Sequence, residues 1–379
     1  MTPEFPHDDL RMTSDELILI TGATGFLGTS LVHELLERRP KARLALLIRT
    51  GASESAQQRA AKILPPGSEA RVEVYSGDVS KPALGLNAEE HASLAARLTR
   101  IIHCAATVRF DHTLEEAREI NVEGTRRILD LAEAAPALRS LTYVGTAYVA
   151  GDRKGLILES ELNVGQPFRN TYEQTKSEAE ALVRSCMNRI PTVILRPSIV
   201  VGDSRTGATS SFKMMYWPLK IYARRLWRTV PGYPDAILDI VPVDYVSRAT
   251  AYLAFQPEAL GETVHLCAGP QGDATISEIA RRAAEFFNAP QPRYIHPEFF
   301  FATIRPILFL TLWGKKRRVL TSGRAYRDYF SMRMRFDTAN ATRLLTPAGI
   351  EPLPVLAYLD RLFQYCLDTD WGRKVLPAE

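Results

Sequence analysis

Cysteine is scarce in this chain: four in 379 residues, at Cys104, Cys186, Cys267 and Cys366. They are scattered, no Cys-x-x-Cys pair occurs, and no histidine cluster stands at metal-ligand spacing. That scatter argues against a disulfide framework or a zinc site and fits reduced thiols in a cytoplasmic protein. Charge of one sign is not in excess either: the net charge is +4 and the sequence pI is near 8.8. So mild a balance permits anionic ligands such as phosphorylated cofactors, but it lacks the basic footprint of a nucleic-acid binder. Long hydrophobic runs are absent. The most apolar late stretch, Phe299 to Trp313, is interrupted by Arg305 and Pro306, so it is not a clean bilayer span. Residues 1–15 are polar, acidic and proline-containing, with neither the basic start nor the apolar core of a signal peptide. A flexible leader is expected there. Internal repeats and low-complexity segments are missing too.

What is present is a globular composition, with 46% hydrophobic and 24% charged residues, in a chain long enough for one large α/β domain with an appendage or for two domains. The most informative stretch is Leu17 to Gly28, LILITGATGFLG. A short apolar run reads as a buried parallel strand, and Thr29 to Glu37 continues as an amphipathic helix. Between them Gly22, Gly25 and Gly28 recur every third residue. The first allows a tight turn, the second lets backbone approach a pyrophosphate, and the third packs helix on strand. The helix N-terminus then offers free N–H groups to phosphates. Thr21, Gly22, Thr24, Gly25, Phe26, Leu27 and Gly28 are the candidate cofactor contacts of this turn. Glycine spacing alone is weak; the strand before and the helix after it favour a dinucleotide site.

Strand and helix patterns alternate onward from there. Arg43–Arg49, Arg71–Ser76, Leu98–Ala105, Leu141–Tyr148 and Thr192–Val201 read as strands. Ser53–Leu64, Thr113–Glu133 (broken by Asn121 and Gly124) and Thr171–Asn188 read as helices, and Thr263–Ala268 as a late strand returning to the sheet. This alternation predicts a doubly wound parallel sheet of Rossmann type. After Gly202 the pattern turns irregular, aromatic and basic, as a smaller substrate lobe would be, with a mainly helical C-terminal extension from about Gln291.

Tyr172 and Lys176, in YEQTK on a predicted helix, share a face at i and i+4. An ammonium near a phenol favours phenolate and lowers its pKa, so such a tyrosine can pass a proton to an oxygen that gains charge. A surface Tyr/Lys pair, with Lys176 bridging to Glu180, is the bland alternative. Thr146, at the end of the preceding strand in YVGTAYV, changes the odds, because strand ends of a doubly wound sheet open onto the ligand crevice. A hydroxyl, a phenol and an ammonium there make an oxyanion-stabilising set.

The ordered series TGATGFLG, GDVSKPALGL, IIHCAATVRFD, INVEGT, YVGTAYV, YEQTK and RPSIVVG resembles the extended short-chain dehydrogenase/reductases. Within them it is most similar to fatty acyl-CoA reductases and to the thioester-reductase domains of carboxylic acid reductases and of peptide or polyketide synthetases. The resemblance covers roughly residues 16–270. It implies a leader over 1–15, an NADP-binding Rossmann domain over 16–201 with a late strand near 263–268, a substrate lobe over 202–290 and the extension over 291–379. By position it assigns Thr146, Tyr172 and Lys176 as the catalytic set, with Gly145 where the family often has a serine. Asn121 takes a structural role. The cofactor contacts extend to Asp78, Val79, Ala105, Ala106, Pro197 and Ile199, with Tyr172 and Lys176 shared.

The second strand ends in Arg49 rather than an acidic residue, which suits a 2′-phosphate, and Arg59 in the next helix offers a second charge; NADPH is therefore expected. The resemblance implies hydride reduction of an acyl thioester, on CoA or on a carrier protein, to an aldehyde, with a primary alcohol as a further product. Aromatic segments Phe212–Trp227 and Phe299–Trp313 are candidates for an apolar acyl channel, with core packing as the alternative. Peripheral membrane contact by Phe299–Arg318, with Lys315–Arg318 at headgroups, stands beside a helix packed on the substrate lobe. His103 reads as a core histidine, Asp244 as a helix N-cap, and Met214–Trp217 as pocket wall or packing. Two competing readings keep the fold: a dehydrogenase of a sterol, flavonoid or sugar hydroxyl, and a non-catalytic NADP-sensing scaffold.

Overall fold

The computed structural model describes residues 16–109, 112–226, 229–311, 313 and 328–374. Lys315–Arg318 lie outside the described residues, as do Phe110 and Asp111 of the HCAATVRFD stretch. Seven strands, β1 (Leu17–Thr21), β2 (Arg43–Ile48), β3 (Val72–Ser76), β4 (Arg100–His103), β5 (Ser140–Val144), β6 (Thr192–Pro197) and β7 (Thr263–Leu266), form one sheet in the order β7-β6-β5-β4-β1-β2-β3. Every pairing in it is parallel. The strand order reverses between β1 and β4, which opens a crevice beyond their carboxyl ends.

Period-2 alternation sorts β1 onto two cores. Leu17 and Leu19 pack with Ile101, Leu141 and Val183, while Ile18 and Ile20 pack with Leu31, Val32, Leu35 and Ala251. Both faces are covered by helices, which is why β1 and most of β2 read as unbroken apolar runs. Helix α1 (Phe26–Arg38) begins three residues earlier than the sequence pattern indicated, so Gly28 lies inside it. There a Cβ would sit 2.1 Å from the Gly22 carbonyl oxygen, and Gly22 itself has φ +73° with Ala105 N 2.8 Å from where its Cβ would be. Gly28→Ala should therefore lose at least about 2 kcal/mol, read as a fall in Tm, because backbone rather than a flexible side chain must move.

Three expected elements differ in detail. The 113–133 helix is three segments, Leu114–Arg118, a π-turn at Glu119–Glu123, and α2 (Gly124–Glu133). Strand β5 stops at Val144 rather than Tyr148, because the Thr146 hydroxyl accepts from Tyr148 N and starts a 3-10 turn over Ala147–Ala150. The 192–201 strand changes partners at Ser198: β6 stays in the main sheet, while Ile199–Val201 pairs with Ile240–Pro242. Helix α3 (Thr171–Cys186) follows the YEQTK expectation closely.

Residues after 290 do not stand apart from residues 202–290. Met334–Phe336 runs parallel to Gly155–Ile157, and Phe363 of one late helix (Leu359–Asp368) meets Phe286 of Ile276–Phe286 edge to face. A single core joins Val201, Leu219, Ile276, Phe336, Leu345 and Phe363. The expected boundary at 290/291 runs through that core.

Candidate active site

The crevice begins where Thr21 and His103 face each other across β1 and β4. A chain of hydrogen bonds fixes their states. The Thr125 hydroxyl donates to Asn121 O (2.7 Å), so it must accept from His103 Nε2 (3.1 Å); His103 Nδ1 then accepts from the Thr21 hydroxyl (2.7 Å), whose oxygen accepts from Ala105 N (3.2 Å). Burial, with the Lys176 charge adding to it, pushes His103 down to about 3, so the ring is neutral and acts as a strut for the Ala105 amide rather than as a base.

The turn beside it fits a dinucleotide. Gly22 and Gly28 are demanded by the protein's own packing, whereas a Cβ on Gly25 would meet one atom only, the Gly22 carbonyl oxygen at 3.1 Å. Helix α1 has no side-chain cap and no acidic residue in its first turn, which leaves its N–H groups and positive dipole end facing outward. Arg59 donates to Thr24 Oγ1 (3.1 Å) and to the Arg49 carbonyl, so two guanidinium side chains flank the end of β2. Arg49 is exposed, and among the described residues nothing pairs with its guanidinium. Asp78 turns one carboxylate oxygen onto Ser80 N and Oγ, both at 2.9 Å, and Val79 packs against Gly124.

Thr146, Tyr172 and Lys176 converge at the end of β5. The Thr146 hydroxyl donates to Pro197 O (3.4 Å) and is hydrogen-bonded with the Tyr172 phenol. Tyr172 is partly exposed to the crevice. Burial of its phenol pushes the pKa up to about 12, the Thr146 hydrogen bond pulls it down, and the Glu173 charge adds to the rise. The expected lowering by Lys176 is not what this arrangement gives. Lys176 Nζ instead donates to Val144 O (2.8 Å) and lies 4.4 Å over the Tyr143 ring. Its own pKa is drawn down to about 8 by burial, against the upward pull of the Glu180 carboxylate and then of Cys104. Desolvation is the largest influence on both groups, and neither owes its shift to the other.

Nor does Lys176 bridge to Glu180. That carboxylate is fully buried and accepts from Arg196 Nε (2.9 Å) and Nη2 (2.6 Å), with Arg184 Nε at 3.0 Å. Gly145 leaves room for it: a Cβ there would sit 3.4 Å from Glu180 Oε2. Asn121, buried in the π-turn, accepts from Thr107 N (2.8 Å) and donates to Thr175 Oγ1 (2.9 Å), tying the β4 loop to α3. The start of α3 is set by Asn170, whose Oδ1 accepts from Glu173 N (2.9 Å), a cap legible as Asn-x-x-Glu. Asp244 is not a cap: Pro242 holds that place, and the Asp244 carboxylate accepts from Ser204 N and Oγ. Among the described residues no cluster of His, Cys, Asp or Glu could hold a metal.

An apolar cavity of about 190 Å³ is lined by residues drawn from the stretch between Ile199 and Phe330. Met214, Trp217 and Tyr222 from one aromatic segment and Phe300 and Phe301 from the other line it, so both segments contribute wall. Ile199, two residues beyond the Pro197 carbonyl that binds Thr146, also lines it.

A Gly-rich turn at the switch point of a parallel sheet, with a Thr/Tyr/Lys trio beside it, defines a nucleotide-binding fold of the Rossmann class. The pattern of the Male sterility protein family matches residues 20–250, and the chain belongs to that family. It is 31% identical over 274 residues to the fatty acyl-CoA reductase wat of Drosophila melanogaster, covering 62% of this chain and 53% of that protein. It is 28% identical over 280 residues to fatty acyl-CoA reductase 1 of Xenopus laevis, covering 63% and 54%. The chain thus spans about half the length of the curated relatives it matches. Among solved structures, the terminal R domain from the myxalamid PKS-NRPS biosynthetic pathway superposes with a TM-score of 0.83 at 30% identity, over 95% of this chain and 92% of that one. A UDP-glucuronic acid 4-epimerase from Bacillus cereus in complex with NAD shares the fold, with a TM-score of 0.67 at 18% identity over 94% of this chain and 98% of that one.

Proposed function

We propose that this chain reduces acyl thioesters, on CoA or a carrier protein, with NADPH: hydride adds at the carbonyl carbon, the C–S bond breaks to release the thiol, and the product is an aldehyde, or a primary alcohol where a second reduction follows. The observation that carries it is the hydrogen-bonded Thr146/Tyr172 pair at the end of β5, with Ile199, two residues beyond the Pro197 carbonyl that Thr146 binds, in the wall of an apolar cavity. Likeness to fatty acyl-CoA reductases and to a synthetase R domain supports the same substrate class. Gly22, Gly25, Gly28 and the α1 amides would hold the pyrophosphate, and Arg49 with Arg59 the 2′-phosphate. A bound reduced nicotinamide supplies hydride. Thr146 and Tyr172 bind the carbonyl oxygen as it gains charge, and the high phenol pKa keeps Tyr172 protonated until that charge develops. Lys176 contributes its positive charge and positions the ribose. The test is oxidation of NADPH and of NADH with a panel of acyl-CoAs, aldehyde and alcohol being trapped separately. Turnover of secondary alcohols without turnover of any thioester would replace this reading with a hydroxyl dehydrogenase.

A protonated Lys176 gives the rate a pH dependence. Its charge is present below about 8 and is lost as pH rises through that value, so turnover should fall on the alkaline side. Glu180→Gln removes a carboxylate that favours the ammonium, and the fall should move to lower pH by about one unit. A pH–kcat profile of both proteins checks this.

The cavity-lining segment also presents apolar side chains outward: Phe299 and Ile307 are exposed, Leu310 is at 79%, and Trp313, beyond the helix end at Thr311, is at 78%. No helix among the described residues is long and apolar enough to cross a membrane. Peripheral contact through this face accounts for such exposure. Flotation with anionic vesicles, weakened by salt, is the expected result; a protein left wholly in the soluble fraction argues for a plain lobe helix.

A further inference from the structure

Tyr329 belongs to no motif and lies far from α3 in sequence, yet it meets the catalytic region at three points. Its ring stands edge-on to Tyr148, 5.9 Å between centroids, and Tyr148 is two residues beyond Thr146. Its hydroxyl is hydrogen-bonded to the side chain of Asn170, the cap of the helix that begins with Tyr172. The same ring forms part of the cavity wall beside Phe330 and Ile199. The segment carrying it is pinned from behind: Tyr233 N donates to Phe330 O (3.0 Å), Ile237 N donates to Met332 O (2.9 Å), and a Cβ on Gly232 would fall 2.7 Å from Phe330 Cβ. Tyr329 is buried, so its ring has little freedom to swing aside.

We propose that Tyr329 is a specificity-determining residue: its ring forms the wall between the apolar cavity and the Thr146/Tyr172 pair and sets which acyl chains can lie in the cavity with their carbonyl at that pair. This rests on the thioester reading. The wall is rigid because it is held at both ends, by the Asn170 hydrogen bond and by the Tyr148 ring edge. An acyl chain must pass the ring to fill the cavity, so chain length and bulk near the carbonyl are selected there. Removing the ring enlarges the space next to the reacting carbon. Removing only the hydroxyl leaves the wall but frees the α3 cap. A methylene gained or lost in such a pocket changes discrimination by about tenfold or more, which makes the effect measurable.

The experiment compares the full chain with Tyr329→Ala, Tyr329→Leu and Tyr329→Phe. Each is assayed for kcat/KM on octanoyl-, dodecanoyl- and hexadecanoyl-CoA, and for affinity toward the matching S-alkyl-CoA thioethers, which have no carbonyl to reduce. Tyr329→Ala should raise the hexadecanoyl-to-octanoyl ratio by about tenfold in both series. Tyr329→Phe should keep the ratio within about twofold and lower kcat with little change in KM, since only the Asn170 bond is lost. Tyr329→Leu, nearer in bulk, should shift the ratio part way and carries the test where Tyr329→Ala does not fold. Unchanged ratios in the folded Ala or Leu protein, in turnover and in thioether affinity, overturn the proposal. If the unmodified protein reduces neither these acyl-CoAs nor the same acyl groups carried on pantetheine, while thioether affinity depends on length and shifts with Tyr329→Ala, the thioester reading falls and the selector role of Tyr329 stands. If it neither reduces these thioesters nor binds the thioethers, both fall.

Discussion

Tyr172→Phe should lose roughly 10²–10³-fold in kcat for thioester reduction while binding NADPH and melting almost as the unmodified protein does. The ring stays, so packing on α3 is kept; the lost atom is the one hydrogen-bonded to Thr146. That hydroxyl serves twice in the proposed reaction, as a donor to the developing oxyanion and as the source of its proton. Its raised pKa means that the phenol form is the resting state at neutral pH, so the loss is a loss of the donor rather than of a phenolate. Stopped-flow single turnovers with a saturating acyl-CoA separate this step from product release. Near-normal turnover in the variant would remove Tyr172 from the mechanism.

Reversal of charge at the end of β2 should be nearly as costly, but only for one cofactor. Arg49→Glu is expected to weaken NADPH by roughly 100-fold and NADH by only a few-fold, because charge-assisted bonds to a phosphate are replaced by repulsion. Arg49 is exposed and nothing among the described residues pairs with its guanidinium, so the fold should not register the change. Arg59 is different. It is also tied to Thr24 and to the Arg49 carbonyl, so Arg59→Ala should loosen the β2 end and weaken both cofactors, NADPH the more because its 2′-phosphate loses a second charge. Titration of each protein with NADPH and NADH by fluorescence reads both effects. Equal affinities of the unmodified protein for the two cofactors would refute the role given to Arg49.

The sequence by itself determined whatever depends on neighbours along the chain. An apolar run of five residues, a glycine every third position and an amphipathic continuation fix β1, the turn and α1 without reference to anything distant, and the i, i+4 spacing alone puts Tyr172 and Lys176 on one face of α3. The place of Arg49 just past the end of β2 was legible because the apolar run that forms the strand stops there. Only the tertiary structure decided the rest, because it concerns groups far apart in the chain. Whether the Tyr172 phenol rises or falls depends on how deeply other segments bury it, and no spacing reports burial. The neutral state of His103 follows from a relay through Thr21 and Thr125, and Glu180 pairs with Arg196 of β6 as well as with Arg184 one turn on, not with Lys176 one turn back. The change of sheet at Ser198 hangs on Asp239 and Leu266 taking up the backbone on either side. Tyr329 reaches the cap of α3 from the far end of the chain, and the cavity wall it joins draws on segments that carry no shared pattern. Desolvation and packing act through space, and the order of residues records them only where the fold happens to bring neighbours together.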